Sequence, residues 1–147
     1  MTNSRRLSAI FSTIFAGFLI GQPIATRAAT QSPDLSPQYL QRSARCPVCG
    51  MYPYRTPQWA AQIVFNDQSA SFFDSPLDLF RFINNMMLFD KQHKPADVGA
   101  IWVADYGTKA WIDAKKAFFV IGSQARGPMN EANLPAFATR DAADAHV

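Results

Sequence analysis

The residues best suited to chemistry lie in one short stretch of this chain. Cys46 and Cys49 are separated by two residues, and Met51 follows them after Gly50. These are the only cysteines in the sequence. Thiolate and thioether sulfurs are soft ligands, and soft ligands bind Cu(I) in preference to hard cations. The spacing therefore predicts a sulfur-rich site that could hold a soft metal ion, form a disulfide or exchange one.

Two interpretations of the cysteine pair need no metal. An exported chain meets an oxidising compartment, where an even number of cysteines fits a structural disulfide. A bridge across so short a loop would stabilise the fold at the low end of about 2–4 kcal/mol. Thiol–disulfide exchange is the other interpretation, but such sites place C-x-x-C at the start of a helix. Gly50 and Pro53 follow Cys49 and disfavour a helix at that point.

Two further interpretations involve a metal ion. A structural zinc site needs a full tetrahedral set of ligands, commonly from two such pairs. The chain has no further cysteine, and its histidines, His93 and His146, are 53 positions apart. We expect His93 to be solvated in a polar loop and His146 to be mobile. Cu(I) prefers sulfur, so Met51, with Met129 in a Gly-Pro-Met turn, could complete a copper site with the cysteines.

The first residues of the chain are typical of a secretory signal. Arg5 and Arg6 precede the apolar run 7–21, and small residues at Thr26 and Ala28 predict cleavage after Ala28. Because no cysteine ends the apolar run, we expect no lipid anchor. Three of the 14 basic residues lie in this segment, which leaves 11 against 11 acidic residues. The remaining chain is therefore near neutral, which argues against nucleic-acid binding.

The rest of the chain predicts a lead-in and one small domain. Residues 29–45 are polar and carry two prolines, so we expect a flexible lead-in before a metal-binding domain at 46–147. Alternating and apolar runs predict strands at 59–65, 70–73, 100–105, 110–113 and 117–121. A sheet of such strands beside one main helix indicates the α+β class with an antiparallel sheet.

Helix signals are clearest after the second strand. Ser75 can cap a helix, Pro76 suits its first position and Asp78 complements the positive end of the helix dipole. Asp74 is a second candidate for the cap. The helix should fade near Asp90. Its apolar stripe comprises Leu79, Phe80, Ile83, Met86 and Met87, and the two methionines are expected to fill the core. A short final helix over 140–146 should be capped by Thr139.

Several motifs together resemble one protein family. They are C-P-V-C-G-M at 46–51, F-F-D at 72–74 with D-L-F at 78–80, W-V-A-D-Y at 102–106 with W-I-D at 111–113, and G-P-M at 127–129. In this order they resemble the NosL family, exported copper chaperones that serve nitrous oxide reductase. The resemblance runs from about Cys46 to Val147.

The resemblance implies both a site and a function. Family ligands carried over to this chain are Cys46, Met51 and Met129, and Cys49 matches the motif with a metal-binding or supporting role. It implies Cu(I) binding in the periplasm, delivery towards nitrous oxide reductase in denitrification, and contact with a membrane-bound ABC-type maturation complex. The implied fold is related to treble-clef and organomercurial-lyase-like modules. We therefore expect a copper chaperone and not an enzyme, with an exported thiol–disulfide oxidoreductase using Cys46 and Cys49 as the alternative.

Overall fold

The computed structural model of the protein describes residues 32–147. The predicted signal segment 1–28, with its cleavage site after Ala28, lies outside the described residues. Between residues 32 and 147, no helix combines the length and the apolar character that a bilayer crossing requires. The chain from 32 onward folds into strands and short helices, as an α+β sequence should.

A four-stranded antiparallel sheet forms the centre of the fold. Its strands are β1 (Ala61–Phe65), β2 (Ala70–Phe73), β3 (Val98–Ala104) and β4 (Trp111–Asp113), in the order β2-β1-β3-β4. Every residue of β1 is buried, as its central position in the order requires. Ala61 lies opposite Phe73 on one side and Val103 on the other. The predicted α+β class with an antiparallel sheet is confirmed.

The main helix begins where the sequence predicts. Helix α1 (Pro76–Asn84) starts after Ser75, whose Oγ accepts a hydrogen bond from the backbone of Asp78 at 3.2 Å. Leu79 and Phe82 are fully buried. The ring centroid of Phe82 lies 5.0 Å from that of Phe73 at the end of β2. This packing holds α1 against the end of β2.

The helix does not continue unbroken to Asp90. Asn85 leaves the helical conformation, and a second short helix, α2 (Met86–Phe89), follows it. The break changes which side chains face the core. Met86 is buried as expected, but Met87 is 56% exposed, so its assignment as core filler is wrong.

A second sheet, of two strands, forms in the C-terminal part of the chain. Strand β5 (Phe118–Phe119) pairs antiparallel with β6 (Ala136–Phe137), and helix α3 (Arg140–Asp144) follows. The predicted strand at 117–121 is thus shorter than expected, and β6 was not predicted. Thr139 caps α3 as expected, since its Oγ1 accepts a hydrogen bond from the backbone of Ala142 at 3.2 Å.

The segment before the cysteines has no helix or strand but is attached to the main sheet. The indole nitrogen of Trp102 donates to the backbone oxygen of Leu35 at 2.9 Å. The side-chain amide of Gln62 bonds to both the backbone nitrogen and the backbone oxygen of Gln38, at 2.8 and 3.1 Å. These contacts lie within the stretch that the sequence predicts as a flexible lead-in.

Both histidines are held by neighbours, contrary to expectation. The ring of His93 stacks on Phe65 at 3.8 Å, and its nitrogens bond to Asp90 at 2.7 Å and Asp67 at 3.3 Å. His93 is therefore not a solvated loop residue. His146 bonds to the hydroxyl of Ser123 at 3.0 Å and packs against aromatic rings of the β5–β6 region, so it is not free at the end of the chain. Asp90 is only three residues from His93, but Asp67 and Ser123 are distant in sequence from the histidines they contact, so these contacts could not be foreseen.

Candidate metal centre

The cysteine segment folds as a tight knuckle. The backbone nitrogen of Gly50 donates to the oxygen of Cys46 at 2.8 Å, and the nitrogen of Cys46 donates to the oxygen of Met51 at 2.9 Å. Gly50 has a φ of 74°, a conformation that glycine adopts without steric cost. This explains a glycine directly after Cys49. The knuckle brings both thiols to one place while keeping Met51 bonded to Cys46 through the backbone.

Two carboxylates from the β2–α1 junction meet the thiols. Asp74 follows β2, and Asp78 lies in the first turn of α1. The Cys49 thiol donates to Oδ1 of Asp74 at 3.2 Å, and the Cys46 thiol donates to Oδ2 of Asp78 at 3.6 Å. One ligand atom from each of the four side chains lies within 4.8 Å of all the others. These residues could hold a metal ion.

Three of the four residues in this cluster are buried. Cys46 is 2% exposed, Asp74 and Asp78 are each 1% exposed, and Cys49 is partly exposed. Burying a carboxylate is costly unless it is paired or hydrogen-bonded. Asp78 is paired with Arg81, whose guanidinium lies 2.8 Å from Oδ1. The second carboxylate, Asp74, receives the thiol of Cys49 instead of a cation.

Burial sets the protonation of the acid pair. Burial raises the pKa of Asp74, and the nearby carboxylate of Asp78 raises it further, although hydrogen bonds from Cys49 and Cys46 act in the opposite direction. Asp74 thus has a stronger tendency to hold a proton than an exposed aspartate. A proton on Asp74 lowers the negative charge inside the cluster.

Both thiols are also stabilised in their protonated forms. Both cysteines are free. Burial raises the pKa of Cys46 above its ordinary value. The pKa of Cys49 is raised strongly, first by burial and then by its neighbours Asp78, Cys46 and Asp74. A reactive exchange site needs the opposite, a thiol whose pKa is lowered towards neutrality. The raised pKa values therefore disfavour a thioredoxin-like activity.

The two predicted methionine ligands lie on loops outside helices and strands. Met51 is 37% exposed and Met129 is 45% exposed, and neither belongs to the buried core that includes Cys46. Met129 occupies a turn that the hydrogen bond from the nitrogen of Asn130 to the oxygen of Gly127 closes at 2.9 Å. The structure brings Cys46 and Cys49 together, and it leaves both thioethers at the surface.

The loop that carries Met129 is attached to the start of α1. Asn133 is buried, and its Oδ1 accepts a hydrogen bond from the backbone of Leu77 at 3.3 Å. Leu77 directly precedes Asp78 in the sequence. Gly127 has no room for a side chain, because a Cβ there would lie 2.4 Å from Nδ2 of Asn133. The Met129 turn is thus held near the helix start that supplies one carboxylate of the cluster.

Sequence reasoning missed the role of the two carboxylates. It assigned Asp74 to the helix cap and Asp78 to the helix dipole. In the structure Ser75 makes the cap bond, and Asp74 bonds to Cys49. Their spacing directly after a strand, in the F-F-D and D-L-F motifs, was the available signal. The two carboxylates also offer two further donors that the argument against zinc did not include.

Comparison with known proteins places the chain in a family. The NosL family matches residues 37–147. The chain belongs to the NosL family. The crystal structure of the copper chaperone NosL from Shewanella denitrificans is similar, with a TM-score of 0.62 and 21% sequence identity over 78% of this chain and 87% of that chain. At this identity the likeness shows a shared NosL fold. No curated protein matches the chain.

Proposed function

We propose that this NosL-family protein is a Cu(I) chaperone that carries copper for the maturation of nitrous oxide reductase. The observation that carries the proposal is the convergence of two free thiols at a knuckle whose next sulfur, Met51, is exposed. Soft sulfur donors favour Cu(I). An exposed thioether beside buried thiols gives a partner a point of entry to the ion.

Charge favours a ligand set with one thiolate. Cu(I) with one thiolate is neutral, whereas a second thiolate would add a negative charge beside Asp74 and Asp78. Because Cys46 and Cys49 both have raised pKa values, removing both protons is unfavourable in this buried site. Neutral thioethers add donors without adding charge. We therefore propose the Cys46 thiolate, Met51 and Met129 as ligands.

Cys49 has a supporting role in this proposal. Its thiol is tied to Asp74 by the 3.2 Å hydrogen bond, so it stays protonated and supports the knuckle while Cys46 holds the ion. On release or capture, Cys49 is the second sulfur available for an intermediate with both thiols bound. Ligands then change one at a time and the ion does not enter water.

The Cys46 proton has a nearby acceptor. Metal binding to a cysteine displaces its proton, and Oδ2 of Asp78 lies 3.6 Å from the Cys46 sulfur. The displaced proton passes to water as copper arrives and returns to the thiol as copper leaves. This carrier cycle forms no product, so we do not propose an enzyme.

The cellular setting is part of the same proposal. The secretory features of residues 1–28 support export to the periplasm. Family membership, together with a similar structure titled as a copper chaperone, supports delivery towards nitrous oxide reductase and contact with its membrane-bound ABC-type maturation complex. Thiol–disulfide exchange is the weaker alternative, since both thiols have raised pKa values.

One observation favours a second occupant. Two cysteines and two aspartates form a four-donor set, and Zn²⁺ binds both thiolate and carboxylate in tetrahedral sites. A zinc-binding protein would use Asp74 and Asp78 directly, whereas the proposed copper carrier uses Met51 and Met129. The two ligand sets share only Cys46 among six side chains, so substitution separates them.

The test is a competitive titration under anaerobic conditions. Metal-free protein is titrated with Cu(I) against a colorimetric chelator, with and without excess Zn²⁺. We expect tight Cu(I) binding that zinc does not displace, loss of that binding in Cys46→Ser, and retention of the helix and sheet signals. If zinc displaces copper and Met129→Leu binds copper as the wild type does, the four-donor zinc site replaces our proposal.

A further inference from the structure

Three arginines and two tyrosines flank the knuckle in sequence and stack on one another. They are Arg42, Arg45, Arg55, Tyr52 and Tyr54, which we call the arginine–tyrosine surface. We propose that this surface docks a carboxylate-rich face of the protein with which copper is exchanged. The inference rests on the proposed function, because it names how the exchange partner is recognised.

The guanidinium groups are held in place by aromatic rings. The guanidinium carbon of Arg45 lies 4.3 Å from the ring centroid of Tyr52, and that of Arg55 lies 5.3 Å from the same centroid. Arg42 stands 5.1 Å from the centroid of Tyr54. Such cation–π contacts restrain long side chains. The planar cations are therefore partly ordered before any partner arrives.

Arg45 is restrained further by the knuckle itself. One guanidinium nitrogen donates to the backbone oxygen of Gly50 at 3.1 Å, and another donates to the hydroxyl of Tyr52. Arg45 precedes Cys46, and Tyr52 follows Met51. The positive charge is thus fixed to both ends of the segment that carries the sulfurs.

The charge of this surface has no partner within the described residues. Residues 35–66 contain these three arginines and no aspartate, glutamate or lysine. All three arginines are exposed. Among the ion pairs of residues 32–147, none involves Arg42, Arg45 or Arg55. Arg81, by contrast, is paired with Asp78. The surface is a local concentration of positive charge on a chain that is near neutral after residue 28.

The position of the surface suits ligand exchange. A partner must approach the sulfurs closely, and Met51, which is 37% exposed, lies between Arg45 and Tyr52 in the sequence. Arginine and tyrosine are enriched among the residues that dominate binding energy at interfaces. A guanidinium also binds a carboxylate through two parallel hydrogen bonds. Acidic side chains around the partner's own sulfur ligands would therefore match this surface.

A membrane is the less fitting source of negative charge. Recognition of anionic lipids by basic segments typically uses clusters of about 4–8 Lys or Arg. This surface has three arginines, and they are stacked on tyrosines rather than extended into solvent. Ordered guanidiniums at a narrow site fit carboxylates on a folded partner better than a fluid layer of headgroups.

The experiment uses a matched pair of synthetic peptides as copper acceptors. Both carry the same cysteine and methionine, and one is rich in aspartate where the other has asparagine. Cu(I)-loaded protein is mixed with each peptide in a stopped-flow instrument at about 20 mM and about 0.5 M salt. Binding of the fluorescein-labelled peptides to metal-free protein is measured separately by anisotropy.

We expect transfer to the aspartate peptide to be at least about tenfold faster than to the asparagine peptide at low salt. The preference should vanish at high salt and in the variant Arg42→Gln/Arg45→Gln/Arg55→Gln. The charge-matched control Lys115→Gln/Lys116→Gln/Arg140→Gln should keep the preference for the aspartate peptide. This control also removes a stacked guanidinium, because Arg140 lies over the ring of Phe118. Should the first variant fail to fold, Arg42→Gln/Arg55→Gln leaves the Arg45 bond to Gly50 intact and should lose most of the preference.

The outcomes separate this inference from the proposed function. If the labelled aspartate peptide binds through the three arginines but the protein neither binds nor transfers copper, the docking surface is supported and the copper-carrier function is rejected. Normal copper binding with equal transfer to both peptides would reject the docking surface alone. Loss of binding to vesicles with anionic lipid in the arginine variant, without any peptide preference, would assign the surface to a membrane and overturn the inference.

Discussion

The Cys49 thiol donates a hydrogen bond to Oδ1 of Asp74 over 3.2 Å, across 25 positions of sequence. This bond ties the sulfur knuckle to the junction between β2 and α1. It joins a thiol whose pKa is raised to a carboxyl whose pKa is also raised. In the metal-free site both groups are therefore stabilised in their protonated forms.

Replacing Asp74 by asparagine tests this coupling. Asp74→Asn keeps the shape of the side chain but replaces the carboxylate whose hydrogen bond to the Cys49 thiol is one of the causes that raise the pKa of Cys49. We expect the pKa of Cys49 to fall, because its thiolate no longer faces that carboxylate. The ultraviolet absorbance of thiolate, followed against pH, measures the change. Asp113→Asn serves as the control, and an unmoved titration in Asp74→Asn would show that the carboxylate does not act on the thiol.

The raised thiol pKa values predict a pH dependence of stability. A thiol whose pKa is higher in the folded state contributes stability below its unfolded value, 9.0 for Cys46 and Cys49, and loses it as pH rises. The free energy of unfolding of the metal-free protein should therefore fall as the pH rises above about 9. Urea unfolding measures this free energy. In the double variant Cys46→Ser/Cys49→Ser it should fall less over the same pH interval. Equal slopes in the two proteins would mean that the thiols are not responsible.

Met129 should matter for copper and little for the fold. Met129→Leu conserves volume at a half-exposed turn, so it should cost less than about 1.5 kcal/mol of stability. If Met129 is a ligand, the Cu(I) dissociation constant should rise at least tenfold, or about 1.4 kcal/mol. Met87→Leu is a matched control, since Met87 is also exposed. Equal Cu(I) affinities for the two variants would remove Met129 from the site.

Gly50 should be needed for the site beyond its effect on stability. Its φ of 74° disfavours a side chain, although a Cβ would meet no atom within 4 Å. Gly50→Ala should destabilise the protein by about 1 kcal/mol and weaken Cu(I) binding by distorting the knuckle. Gly122→Ala has the same backbone strain, with a φ of 81° and open space, outside the knuckle. Gly122→Ala should lose a similar amount of stability, measured by urea unfolding, and keep its copper affinity. Equal losses of copper affinity in both variants would contradict a special role for Gly50.

Local signals were sufficient for much of the fold. Proline and glycine around Cys46 and Cys49 predict an irregular knuckle, and the Ser75-Pro76 pair predicts the start of α1. The β1–β2 hairpin follows from two apolar runs around a polar turn. These features depend on neighbours within a few residues, which is the range over which sequence patterns are informative.

Features made by distant contacts could not be predicted. Asp74 and Asp78 lie at a helix start, where aspartate is commonly a capping residue. Their contacts with the two thiols are therefore hidden until the knuckle is placed beside them. His93 is fixed by Phe65 and Asp67 from another part of the chain. Strand β6 is only two residues long, too short to give a periodic signal.

X-ray absorption at the copper edge tests the central claim most directly. Protein loaded with Cu(I) under reducing conditions should give a spectrum of monovalent copper surrounded by sulfur, and Met129→Leu should lose sulfur scattering. Cys49→Ser should lose less than Cys46→Ser, as the single-thiolate ligand set requires. A first shell of oxygen or nitrogen, with the carboxylates of Asp74 and Asp78 as ligands in place of the thioethers, would contradict the account.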